Sequence, residues 1–222
     1  MFGTHDLALF VVSGLLLNIT PGVDFIFVAG RSAAQGFRAG IWAAFGIGAG
    51  CVVHVVAAAL GLSAILATSA TAFTVIKWIG AAYLVYIGLS MLFAKAAAPE
   101  AKAVEASSPV ATQRTAHASI FWQGLLTNVL NPKVALFFLA FVPQFIDAGS
   151  TSKVSAFLFL GLVFNVNGTL WNIFVAWSAS RLARPINDST STSKARGFLW
   201  LNRVLGGFFI ALGAKLALAD RA

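Results

Sequence analysis

Apolar residues run through this chain in long stretches separated by short polar segments. Stretches long enough to cross the roughly 30 Å hydrocarbon layer of a bilayer cover about Leu7–Gly30, Ala39–Leu66, Ala72–Phe93, Ile120–Ile146, Val154–Ala179 and Phe198–Ala219, and they predict six membrane-spanning helices. Two of these spans carry the same interruption. Gly14 to Asp24 and Gly124 to Lys133 each open as an apolar helix, reach an asparagine (Asn18, Asn128), and meet a proline (Pro21, Pro132) within four residues. Proline removes a backbone donor and interrupts a helix, so spans one and four are expected to be broken. Matched breaks in two halves of a membrane chain are the signature of a transporter, with the binding site at the breaks.

Three spans lie on either side of the most polar segment, and the chain divides there. Residues 1–94 are read as a first three-helix repeat, 95–119 as a flexible cytoplasmic linker rich in Ala, Pro, Glu, Ser and Thr, and 120–222 as a second repeat. Spans three and six also share a pattern, since Ala81-Ala82-Tyr83 followed by Gly88 parallels Gly206-Gly207-Phe208 followed by Gly213. A three-span unit repeated once enters the membrane in opposite senses, so the predicted fold is an all-α integral membrane protein built of two inverted repeats. Small residues crowd span two, from Gly46, Gly48 and Gly50 to Gly61. They suit close helix packing within one subunit or, alternatively, a homodimer surface.

Composition agrees with a membrane chain: of 222 residues, 59% are hydrophobic and 10% charged, and the mean hydropathy is +0.87. The formal charge of +8 comes from 15 Lys and Arg placed at span ends and in loops, which does not describe a nucleic-acid stripe. Topology explains it better. With the amino terminus outside, the cytoplasmic side carries Arg31, Arg38, Lys95, Lys102, Arg114, Arg181, Arg184, Lys194 and Arg196, whereas the loop from Ala67 to Thr71 carries none. The positive-inside rule then places both termini on the periplasmic side. Cys51 is the only cysteine, so no internal disulfide or cysteine-pair relay is expected, and the broken first span does not read as a cleavable signal.

The candidate site is built from the breaks. Thr20 is expected to cap a new helix with Pro21 at its first position and Asp24 in its first turn, and Asn131 and Pro132 to do the same ahead of Lys133. Helix amino termini aimed at the interior favour anionic groups. An ionised side chain deep in a span costs about 2.5–3.5 kcal/mol, so Lys133 needs compensation. Two readings stay open: Asp24 and Lys133 present opposite poles of one cavity to a zwitterion, with Gly22 beside them, or they form a permanent ion pair that locks the halves. Asn18 and Asn128 either satisfy backbone groups that the prolines release or touch substrate. Span five adds Asn165, Asn167, Gly168 and Asn172 as a polar face toward the cavity or between helices. Tyr83 and Tyr86 are packing residues unless the Tyr83 hydroxyl reaches substrate. His54 stands alone, which supports a hydrogen-bonded packing role, with a proton relay as the alternative, and no metal site.

These motifs resemble the LysE/RhtB family of bacterial exporters, the lysine exporter and homoserine-lactone resistance group. The resemblance rests on Asn18-Ile19-Thr20-Pro21-Gly22-Val23-Asp24, on Gly80 to Gly88, and on Gly124 through Phe145 with Asn128, Asn131-Pro132-Lys133 and Phe137-Phe138. The family usually has a second proline where Val23 stands, and a single proline leaves the first break narrower or less rigid. The resemblance implies efflux of amino acids or derivatives across the bacterial inner membrane, driven by protons and needing no cofactor. One acid and one base in the membrane balance a neutral amino acid better than lysine or arginine. Asp24 is the expected coupling group, taking up a proton when the cavity is dry and losing it when hydrated. A basic amino-acid or metal exporter of similar fold, a channel and a membrane enzyme are the rival classes. The sequence displays no ring of charge, no His/Cys/Asp cluster within a span and no catalytic serine–histidine pattern for them.

Overall fold

The computed structural model describes residues 2–62, 70–93, 115–147, 149–150, 152–182, 203–204, 206–214 and 217–218. Regular structure among them is helical apart from a bridge pairing Thr4 with Ile146. Helix α1 (Leu7–Ile19) and α2 (Val23–Gln35) form a bent pair at 55°. Helix α3 (Phe37–Ala57) runs into a π-helical turn at Ala58–Leu62, and α4 covers Ala70–Leu92. A second bent pair joins α5 (His117–Val129) at 48° to α6 (Pro132–Leu136), which continues through a π-helical turn (Phe137–Phe141) and a 3-10 turn (Val142–Phe145). Helix α7 spans Lys153–Leu182, and residues 206–214 form α8.

Both predicted breaks are therefore present, at Thr20–Gly22 and Leu130–Asn131. By length and composition, α3 with its π-helical turn and α7 are long and apolar enough to cross a membrane, and the candidate spans number four if each bent pair is one span. Most of the predicted linker, 95–119, lies outside the described residues, and α5 begins within its last three positions. Much of the predicted sixth span lies outside them as well.

The two bent pairs run antiparallel. At one end, the His5 N–H donates to the Phe145 carbonyl (3.1 Å) and the Asp147 N–H to Gly3 (2.9 Å). At the other, Arg31 on α2 donates to Gln123 on α5 (2.5 Å) and to Thr115 (3.3 Å), while the Thr115 N–H donates to Gln35 (3.1 Å). The start of each pair thus meets the end of the other, and the breaks cross at mid-length.

Small residues set how closely the helices approach. On α3, a Cβ at Gly50 would lie 2.6 Å from the Leu125 carbonyl oxygen and 2.8 Å from Asn128 Cβ, so only glycine admits α5 at this distance. A Cβ at Gly88 would lie 2.6 Å from the Gly206 carbonyl, one at Gly206 2.6 Å from the Gly88 carbonyl, and one at Gly213 2.9 Å from the Ala81 carbonyl. Antiparallel α4 and α8 therefore touch through the shared sequence pattern. Exchanging position 81 with 206 and 88 with 213 turns one contact into the other, as a two-fold axis would.

Two buried clusters lie on either side of the breaks. The larger stacks Phe10, Phe137, Phe138, Phe141, Phe145, Phe157 and Phe164; the smaller joins Val28, Ala39, Ala43, Ile47, Ile120, Val175 and Ala176. The outward faces carry exposed Val52, Leu162, Leu170, Phe174 and Trp177, which is the surface a lipid-solvated bundle presents.

Candidate functional site

A cavity of about 40 Å3 lies where the breaks cross, with residues of both clusters in its wall. At roughly 10–15 Å3 per molecule it has room for about three waters. Asn18 comes from α1, Gly22 from the first break, Asp24 and Phe25 from α2, and Ile47, Gly48 and Cys51 from α3. Asn128, Asn131 and Lys133 come from the second bent pair, and Phe164, Asn165, Gly168, Thr169 and Asn172 from α7.

The first break differs from its predicted form. Thr20 ends α1 instead of starting α2: its N–H and its hydroxyl both donate to the Leu16 carbonyl (3.1 and 2.8 Å). Gly22 is the residue ahead of α2, which starts at Val23, so Pro21 sits in the connection and not in the helix. A threonine hydroxyl can serve either neighbouring helix, and here the preceding one claims it. The second break follows expectation, since the Asn131 side chain accepts from the Lys133 N–H (3.0 Å) with Pro132 at the first helical position.

The polar contacts explain how the ionised groups are tolerated. Asn128 and Asn131 each donate a side-chain N–H to Asp24 Oδ2, at 2.8 and 3.0 Å. Lys133 Nζ donates to the Leu17 and Thr20 carbonyls, at 2.6 and 2.9 Å. Those carbonyls form the negative end of α1. In an intact helix the Leu17 carbonyl would accept from residue 21, and proline has no N–H to offer. Lys133 thus repairs the first break, a task the sequence assigned to Asn18 or Asn128. Asp24 and Lys133 form no direct ion pair among the described residues, which removes the permanent-lock reading. They lie on one cavity with separate partners.

Four buried polar atoms have no partner among the described residues, in addition to the Ser13 hydroxyl. Three of them belong to cavity-lining side chains: Asp24 Oδ1, Asn128 Oδ1 and Asn18 Nδ2; the fourth, Trp171 Nε1, is not in the wall. Buried polar groups are ordinarily satisfied. Two acceptors and one donor are thus left without partners on side chains that line one cavity.

Of the predicted site residues, Asn18, Gly22, Asp24, Asn128, Asn131, Lys133 and Asn165 line this cavity, while Pro21 and Pro132 shape the breaks. Tyr83 does not reach it. It faces a separate apolar cavity of about 10 Å3, against Leu136, Phe137 and the stem of Lys133, and stacks on Tyr86 with ring centres 6.3 Å apart. Asn167 is also absent from the wall, whereas Thr169 and Asn172 belong to it. Spacings of four and three place Asn165, Thr169 and Asn172 on one helix face, a signal that was available in the sequence. Among the described residues there is no group of three or more His, Cys, Asp or Glu able to hold a metal.

Residues 15–220 match the family described as LysE type translocator. An uncharacterised membrane protein of Pseudomonas aeruginosa is 31% identical over 217 residues, covering 98% of this chain and 97% of its own length. A Bacillus subtilis membrane protein, also uncharacterised, is 30% identical over 174 residues, covering 78% and 82%. The leucine efflux protein of Enterobacter is 26% identical over 216 residues, covering 97% of each. No solved structure matches the chain. With both breaks in place and the match spanning nearly its whole length, this chain is a multi-pass membrane transporter, not an enzyme, and belongs to the LysE type translocator family.

Proposed function

We propose that the chain exports neutral amino acids across the bacterial inner membrane in exchange for protons. The observation that carries this reading is the set of open polar atoms in the cavity. Asp24 Oδ1 and Asn128 Oδ1 are acceptors for an α-ammonium, and Asn18 Nδ2 is a donor for its carboxylate. Lys133 contributes positive charge from the wall while two of its three hydrogens stay on the α1 carbonyls. Leu17, Phe25, Ile47, Val134 and Phe164 complete the wall with apolar surface, which suits an aliphatic side chain. The leucine efflux relatives point the same way.

Proton exchange follows from competition for a single carboxylate. Ionised Asp24 takes the substrate ammonium; protonated Asp24 does not. A carrier that changes face only with one of the two aboard exchanges substrate for a proton. Antiparallel bent pairs and the two-fold α4–α8 contacts support an inverted-repeat fold of residues 1–94 and 120–222, and the distribution of Lys and Arg supports a cytoplasmic 95–119 with both termini periplasmic. The Arg31 to Gln123 clasp then closes the cytoplasmic end. A 40 Å3 chamber is too small for leucine, so it must widen to admit substrate.

Counterflow into proteoliposomes tests the substrate class. Lysine brings a second cation into an apolar wall, costing about 2.5–3.5 kcal/mol, or about a hundredfold. Leucine is expected to exchange faster than lysine by that order, and preference for lysine would overturn the neutral-substrate reading.

A further inference from the structure

Proline at 132 leaves the Asn128 carbonyl without its helical donor, just as Pro21 does for Leu17. His54 Nε2 lies 3.0 Å from that carbonyl oxygen, which also accepts the Asn131 N–H at 2.9 Å. A carbonyl only accepts, so Nε2 carries the hydrogen. The imidazole is held flat against Phe138, with 4° between the rings and 6.4 Å between their centres. The repairs are exchanged between the halves: Lys133 from the second bent pair serves the first break, and His54 from α3 serves the second.

The residue that His54 holds by its backbone is also the one whose side chain meets Asp24. Asn128 donates through Nδ2 to Asp24 Oδ2 at 2.8 Å, and its Oδ1 is one of the two open acceptors. We propose that His54 is a positioning residue for substrate recognition, fixing the peptide plane at Asn128 so that its amide both orients Asp24 and presents Oδ1 to the substrate ammonium. Without the imidazole the 128 carbonyl is held less firmly, by the Asn131 N–H, and a change of a few tenths of an ångström at this end of α5 takes the 2.8 Å contact toward the limit of a useful hydrogen bond.

This inference rests on Asp24 being the ammonium site, and the test separates the two. His54→Leu removes the donor, and His54→Gln replaces it with an amide N–H. In proteoliposomes the leucine variant is expected to raise the KM for leucine transport about tenfold with a smaller change in maximal rate, and the glutamine variant to restore most of it. If His54→Leu does not fold, His54→Phe keeps the ring stack and takes its place. The second readout needs no substrate: the Asp24 carboxyl stretch, identified in pH-difference infrared spectra by its loss in Asp24→Asn. That band is expected to shift in His54→Leu, to return in His54→Gln, and to be insensitive to His54 when Asn128 is already alanine. A wild-type KM in the leucine variant, failure of glutamine to restore function, or an equal band shift with Asn128→Ala present would overturn the proposal. If the band behaves as expected but no amino acid is transported, the transport reading fails and the positioning role stands.

Discussion

Replacing Asp24 with asparagine is expected to abolish accumulation of substrate against a gradient while leaving the protein folded. Asparagine matches aspartate in shape, and its carbonyl oxygen can still accept from Asn128 and Asn131, which hold Asp24 Oδ2 at 2.8 and 3.0 Å. The open second oxygen becomes an amide N–H2, so the ammonium meets a donor where it had a charged acceptor. A hydrogen bond to a charged group is worth about 1.5–3 kcal/mol, equivalent to about a 10- to 150-fold loss of affinity. Proton exchange is lost outright, because asparagine has no proton to trade in this range. Uptake into inverted vesicles under an imposed pH gradient measures both effects. An Asp24→Asn protein that still concentrates leucine would remove Asp24 from coupling.

The second large effect is on stability. Lys133→Met removes both hydrogen bonds to the α1 carbonyls of Leu17 and Thr20 and takes away the cation that shares the chamber with Asp24. Breaking a buried charged arrangement by deleting one partner costs about 3–5 kcal/mol, or about 10 °C in melting temperature for a chain of this size. The contribution of charge is separable from that of the carbonyls. Adding Asp24→Asn to Lys133→Met makes the site neutral again, so the double variant is expected to melt above Lys133→Met alone. Detergent-solubilised melting curves of the three proteins measure this. Strictly additive losses would mean that the two groups do not sense each other across the cavity.

The parts of this design that depend on single residues were legible in the sequence. Proline interrupts a helix interior, so both breaks follow from Pro21 and Pro132. The motifs around Gly88 and Gly206 were legible as a repeated pattern, but not that the two copies touch each other. What the sequence left open is partner choice. Lys133 had two candidates, the carboxylate of Asp24 and a substrate, and its ammonium donates instead to two carbonyls that the end of α1 offers near a proline. Thr20 had two helices to cap and took the earlier. His54 looked isolated because its partner is a backbone carbonyl 74 positions away, and a carbonyl has no side-chain signature. Tyr83 had the right chemistry, but its place on α4 gives it a different cavity.

Cys51 permits the most direct measurement. It is the chain's only cysteine, it is 4% exposed, and it lines the cavity beside Ile47 and Gly48. A small organomercurial that reaches it must pass through the chamber where substrate is proposed to sit. Leucine is expected to slow Cys51 labelling in the unmodified protein, with half-protection near the transport KM, and to give no protection at that concentration in Asp24→Asn. Equal labelling with and without leucine, in a protein that transports leucine, would place the substrate elsewhere and contradict the site.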